Sequence, residues 1–160
     1  MPMNFSLRPA VQEDVAAVKT CVIAAFEHYV ERIGNAPAPM LLDFAAEIQA
    51  KRVWVAENGA QIIGALIQYE TESGFYIDTV AVAPSAQGIG VGKTLLQLAE
   101  GEAVRRGYKS IYLCTNSKMT ENQVLYPRIG YVEYDRTREA GYDRVFYIKY
   151  LAEAQPPSAA

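Results

Sequence analysis

Histidine, cysteine and tryptophan are scarce in this chain: 160 residues hold one His, two Cys and one Trp. With His28 alone, and Cys21 far from Cys114, there is no ligand set for a zinc cluster and no disulfide framework. No metal is expected, and both cysteines read as reduced core residues. Basic residues do not cluster. Lys and Arg number 15 against 18 Asp and Glu, a net charge of −3, which argues against nucleic acid as the main partner. No apolar run approaches membrane-spanning length, and residues 1–10 lack the apolar core of an export signal. The chain therefore reads as cytoplasmic, with no membrane partner.

What remains is ordinary globular composition, 51% hydrophobic and 21% charged, enough to bury a core in one domain. Phe5–Arg8 reads as a short strand ended by Pro9. Val11, Val15, Val18, Val22, Ala25 and Tyr29 recur at threes and fours, which predicts one amphipathic helix stopping near Ile33-Gly34. A second helix is expected over Met40–Ala50. Strands over Val53–Glu57 and Gln61–Glu72 should join at Asn58-Gly59, a hairpin signal. Phe75–Ala83 is apolar on both faces, like a central strand.

After it come Gln87-Gly88-Ile89-Gly90-Val91-Gly92-Lys93-Thr94 and a helical run through Arg106, with Gly107 placed as a C-cap. Ile111–Thr115 reads as a buried strand. Thr120 and Gln123 have capping-box spacing for a short helix through Ile129. Strands about Tyr131–Thr137 and Arg144–Leu151 close a domain of residues 1–151. Residues 152–160, with Pro156-Pro157, read as a disordered tail. The order is strand, two helices, three strands, helix, strand, helix, two strands: α/β with a mixed sheet.

The glycine loop carries the chemistry. Glycines at alternate positions bare the backbone, and a helix starting there adds unpaired first-turn N–H groups and the positive end of its dipole. That is a receptor for phosphate or pyrophosphate; otherwise it is a tight turn with glycines for steric reasons alone. The triphosphate loop needs glycine where Gln87 stands, and the dinucleotide fingerprint needs glycine where Lys93 stands. Gln-x-x-Gly-x-Gly, read as Gln87, Gly90 and Gly92, does fit.

This pattern resembles the acetyl-CoA pyrophosphate loop of the GCN5-related N-acetyltransferase (GNAT) superfamily, and the element order matches that family over Phe5–Leu151. The resemblance implies a mostly antiparallel sheet of six to seven strands, helices on both faces, splayed between strands four and five. Pantetheine would then pair with the fourth strand at Val80, Ala81 and Val82, and the loop from Gly88 to Lys93 would take the pyrophosphate. Thr94 offers a hydroxyl, and Lys93 either adds charge or is a solvated surface lysine. Tyr126-Pro-Arg-Ile-Gly130-Tyr131 is similar to a family pattern whose tyrosine is the general acid toward the departing sulfur. Asn122, one turn earlier, and Asn116 fall to the cofactor. Arg32–Gly34, Thr115-Asn116 and Arg136–Phe146 resemble bacterial members of undefined substrate.

A base is the open question. Asp78 is two residues from Tyr76, on the same face of an unbulged strand; it could deprotonate the amine, satisfy a strand edge or bind a cationic substrate. Glu70 and Glu72 are alternatives. The stretch Arg32–Met40 is either a helix connector or a wall of the substrate pocket, and Tyr29, Arg32 and Met40 are the candidate substrate residues. The expectation is an acetyl-CoA-dependent N-acetyltransferase acting on a small-molecule amine. A protein N-terminal or lysine acetyltransferase and a non-catalytic acyl-CoA sensor remain open, as does a homodimer.

Overall fold

The structure is a computed structural model describing residues 4–151; the expected tail, 152–160, lies outside the described residues. Seven strands form one sheet in the order β1-β2-β3-β4-β5-β7-β6: β1 Ser6–Pro9, β2 Val53–Asn58, β3 Gln61–Thr71, β4 Gly74–Val82, β5 Ser110–Asn116, β6 Val132–Glu139 and β7 Tyr142–Tyr150. Every neighbouring pair is antiparallel except β4 and β5. Helices α1 (Val15–Phe26) and α3 (Phe44–Gln49) cover one face through Val18, Val22, Phe44 and Ile48. Helices α4 (Val91–Arg105) and α5 (Thr120–Arg128) cover the other through Leu95, Leu96, Ala99 and Tyr126.

The N-terminal helical run is not one helix. After α1 the chain tightens into a 3-10 turn at Glu27–Tyr29, then makes the short α2, Val30–Ile33, closed by Gly34 at φ 88°. The second expected helix is also divided, into a 3-10 turn at Ala38–Leu41 and α3. Asp43 causes the division: its carboxylate accepts from Ala46 N–H, so α3 begins at Phe44. The expected capping box is absent because α5 already starts at Thr120. The Thr120 hydroxyl turns to Glu121, and the Gln123 amide donates to Ser117 O.

Two features of β4 position the site. First, it is bulged: Ile67 opposes Thr79 and Gln68 opposes Ile77, leaving Asp78 extra. The bulge reverses the strand's phase. Phe75 and Ile77 pack toward α4, but beyond Asp78 it is Val80 and Val82 that do so, while Ala81 turns into the α1 core. Asp78 is therefore not simply the same-face neighbour of Tyr76 that an unbulged strand would make it. Second, β4 and β5 pair only at Phe75–Ile111, Tyr76–Tyr112 and Ile77–Leu113, then part. Close approach of β3 to α4 depends on Gly64, where a Cβ would lie 2.7 Å from Val91 Cγ1.

Candidate active site

Where β4 leaves β5, one edge of β4 stays open. Ala83 N–H donates to Ile63 O at 2.9 Å, which sets the hydrogen-bond phase of the strand. In an antiparallel ladder both polar groups of a residue point the same way and alternate along the chain. Ala81 and Ala83 thus face β3, and the backbone groups of Val80 and Val82 face the opening. Past the strand, Gly88 and Gly90 take φ of 86° and 92°, and Gly90 caps α4. The N–H groups of Gly90, Val91, Gly92 and Lys93 have no acceptor among the described residues. The Thr94 hydroxyl is used internally, donating to Gly90 O at 2.8 Å.

Val80, Val82, Gly92 and Lys93 border a cavity of about 960 Å³ at the splay, with lining residues from both faces of the sheet. On the α4–α5 side it is lined by Val82, Gly92, Leu96, Asn122 and Tyr126 among others. Tyr126 is buried and packs edge-on against Tyr131, with ring centroids 5.5 Å apart. Its hydroxyl bonds to none of the described residues. Burial, with Tyr29, Cys114 and Tyr147 nearby, pushes it up to about 12. Pro127 is accommodated in the last turn of α5, and Tyr126 O accepts from Ile129 and Tyr131 as the helix closes. The Asn122 amide is turned inward, donating to the Thr115 hydroxyl at 2.9 Å.

On the α1 side the floor is Tyr69, Tyr76, Cys114 and Arg144, and the wall is Phe26, Tyr29, Pro37, Pro39 and Leu42. The Asp78 carboxylate accepts from the Tyr69 hydroxyl at 2.7 Å and from the Thr79 hydroxyl at 2.8 Å. No cation pairs with it among the described residues. Burial and the contact with Asp78 raise Tyr69 well above the ordinary phenol range, so it stays a donor. Tyr76 is raised further by burial and by Cys114, whose sulfur lies 3.2 Å from its hydroxyl. Residues 35–42 are tied over this end by Tyr142, whose hydroxyl donates to Ala36 O at 2.6 Å. The Arg32–Glu121 ion pair and the Tyr29–Glu121 hydrogen bond fasten α2 and the 3-10 turn before it to α5.

Of the residues singled out in the sequence, the cavity gathers Tyr126, Asp78, Val80, Val82, Gln87, Gly92, Lys93, Asn116, Asn122 and Tyr29. It does not gather Ala81, whose side chain is in the core, nor Arg32, which is paired with Glu121, nor Met40. Gly88, Ile89, Gly90, Val91 and Thr94 lie outside the lining, although Val91 and Gly90 supply two of the unpaired N–H groups. Glu70 is turned away, paired with Arg106 on the surface, and Glu72 is exposed. Sequence reading missed Tyr69, Tyr142 and Cys114. Cys114 is half-buried in the cavity rather than in the core, and alternation along β5 was the one available signal.

A family model described as Acetyltransferase (GNAT) domain matches residues 49–133. Among solved structures, a GNAT-family protein from Desulfovibrio desulfuricans aligns with TM-score 0.75 and 19% identity over 93% of this chain and 100% of its own. YncA from Salmonella typhimurium, solved with its cofactor acetyl-CoA, aligns with TM-score 0.70 and 21% identity over 98% and 99%. The ribosomal-protein-S18-alanine N-acetyltransferase from Escherichia coli aligns with TM-score 0.74 and 17% identity over 96% and 98%. No curated protein sequence matches the chain significantly.

Proposed function

The chain belongs to the GNAT acetyltransferase family, and on that premise we propose that it transfers acetyl from acetyl-CoA directly to a primary amine of a small molecule. One observation carries the reading: a single cavity joins the open edge of β4, the unpaired amides at the start of α4 and the free hydroxyl of Tyr126. The residues fit the co-substrate. Val80 and Val82 offer strand-like pairing to pantetheine, and residues 90–93 offer four N–H donors to the pyrophosphate. Acetyl-CoA supplies an activated acetyl group as its thioester.

The chain's own residues then have separable tasks. The N–H of Val82 or Val80 holds the acetyl oxygen as negative charge develops on it. Asp78 receives the ammonium form of the acceptor and takes its proton, directly or through water. A C–N bond forms and the C–S bond breaks; of the two protons the ammonium nitrogen gives up, Asp78 passes one to solvent, and the second balances the one that sulfur gains. Tyr126 keeps its proton at neutral pH and presents it to the sulfur. Complete transfer from a phenol near 12 to a thiolate of pKa ~8.5 would be uphill by about 5 kcal/mol. The phenol therefore yields its proton only as the amine's proton arrives to replace it. The tied-down segment 35–42 narrows the acceptor side and favours a small molecule over a protein chain.

Tyr126→Phe tests this. Turnover should fall about 10²–10³-fold, with acetyl-CoA affinity unchanged in a direct titration. Undiminished CoA release by the variant would remove Tyr126 from the mechanism.

A further inference from the structure

At the acceptor end of the cavity one carboxylate has no ion pair among the described residues and one guanidinium has only a loose one. Lys149 and Glu100 pair with each other at 2.8 Å, and Glu121 pairs with Arg32. Asp78 has two hydroxyl donors and, among the described residues, no cation. Arg144 is the one arginine in the lining, and its counter-ion Glu139 stands 3.6 Å away on a largely exposed side chain. The two charges lie on strands flanking β5: Asp78 on β4 and Arg144 on β7, with Cys114 of β5 in the floor between them. Asp78 stands one residue past the last β4–β5 pair and Arg144 opposes Asn116 of β5, and both line the one cavity that opens where β4 and β5 part. Tyr69, Tyr76 and Tyr142 line the space around them.

We propose that the acceptor is a small amino-carboxylate of the free amino acid class, its ammonium group received at Asp78 and its carboxylate clamped by Arg144. The inference rests on the acetyltransferase reading and adds the substrate class. An uncompensated carboxylate alone would suit a diamine equally; Arg144 in the same cavity disfavours a second cation and selects a zwitterion. The guanidinium has geometry suited to a carboxylate held by two parallel N–H bonds. The loose contact with Glu139 is a placeholder that substrate displaces.

The test is CoA release by the full chain with acetyl-CoA and each proteinogenic amino acid, the matching carboxamides, ethylamine and 1,4-diaminobutane. At least one amino acid should exceed its carboxamide about 10- to 100-fold in kcat/KM, the worth of a charge-assisted hydrogen bond. Arg144→Gln should collapse that ratio, mostly through KM, and Arg144→Lys should restore part of it. Glu139→Gln, at a largely exposed position, should lower KM for the amino acid. Equal or faster release with ethylamine or the diamine overturns the inference and leaves the acetyltransferase reading standing. No release with any amine, acetyl-CoA binding intact, overturns both.

Discussion

Gly64→Ala is expected to destabilise the protein and loosen its acetyl-CoA site together. In open space, replacing a strand glycine by alanine gains about 0.5–1 kcal/mol. At Gly64 the new methyl would lie 2.7 Å from Val91 Cγ1, 3.2 Å from Leu95 Cδ1 and 3.3 Å from Ala81 O. Val91 and Leu95 are both buried in the core. Val91, β-branched and in a helix, has essentially one side-chain rotamer and cannot swing aside. Overpacking of this kind costs about 1–3 kcal/mol. The net is a loss of up to about 2.5 kcal/mol, a fall in Tm of up to roughly 10 °C for a domain of this size. Relief comes by pushing the first turn of α4 outward, and that turn carries the unpaired amides. Thermal melting and acetyl-CoA titration should therefore move together, the Kd rising severalfold. Gly101→Ala is the control: it is mid-helix on α4, and its new methyl would have no atom within 4 Å outside the helix's own backbone and its chain neighbours. That variant should gain about 0.5–1 kcal/mol. A Gly64→Ala protein that melts higher, as the control should, would refute the close-packing argument.

Two pH-linked predictions accompany it. Tyr29, Tyr69, Tyr76, Tyr126, Tyr131 and Tyr147 are all raised, with burial the leading cause in each. Above pH ~10 the unfolded chain loses these protons and the native state keeps them, so stability is full below pH ~10 and falls as pH rises through the folded values; urea midpoints flat from pH 8 to 11 would contradict this. Asp14 is lowered, first by its hydrogen bonds from Arg8 at 2.7 and 3.0 Å, and it also accepts from Val11 N–H. Asp14→Ala should cost about 2–4 kcal/mol at neutral pH. The wild-type advantage should be present above pH ~4 and vanish as pH falls through the lowered Asp14 value, which paired denaturation curves would show.

Much of this architecture is legible in the sequence because its signals are local. Alternation, glycine punctuation and the Gln87–Gly92 spacing give element order, strand count and loop position without knowledge of contacts. The β4 bulge is hidden because Phe75–Val82 is apolar on both faces, so a reversal of phase at Asp78 leaves no break in the pattern. The division of the first helical run is hidden for a related reason: a 3-10 turn changes the pitch, not the residue types. Arg32 looked like a pocket residue by proximity in sequence, but its partner Glu121 is on α5, and only the fold brings them together. Tyr142 is the converse case: its value as a strap lies wholly in reaching Ala36 across the molecule.

The open edge of β4 also bears on how the chain keeps clear of other proteins. An unpaired strand edge recruits foreign strands and seeds aggregation. Here the reactive edge is placed inside the sheet, between two strands still joined at Phe75–Ile77, so an intruder must enter a closed-ended slot. The outer rims are less inviting: β1 has four residues and ends in Pro9, and β6 carries Glu133, Asp135, Arg136, Arg138 and Glu139 around its own bulge at Tyr134. The open edge of β4 is thus reached only through the slot at the splay, not from the rims of the sheet.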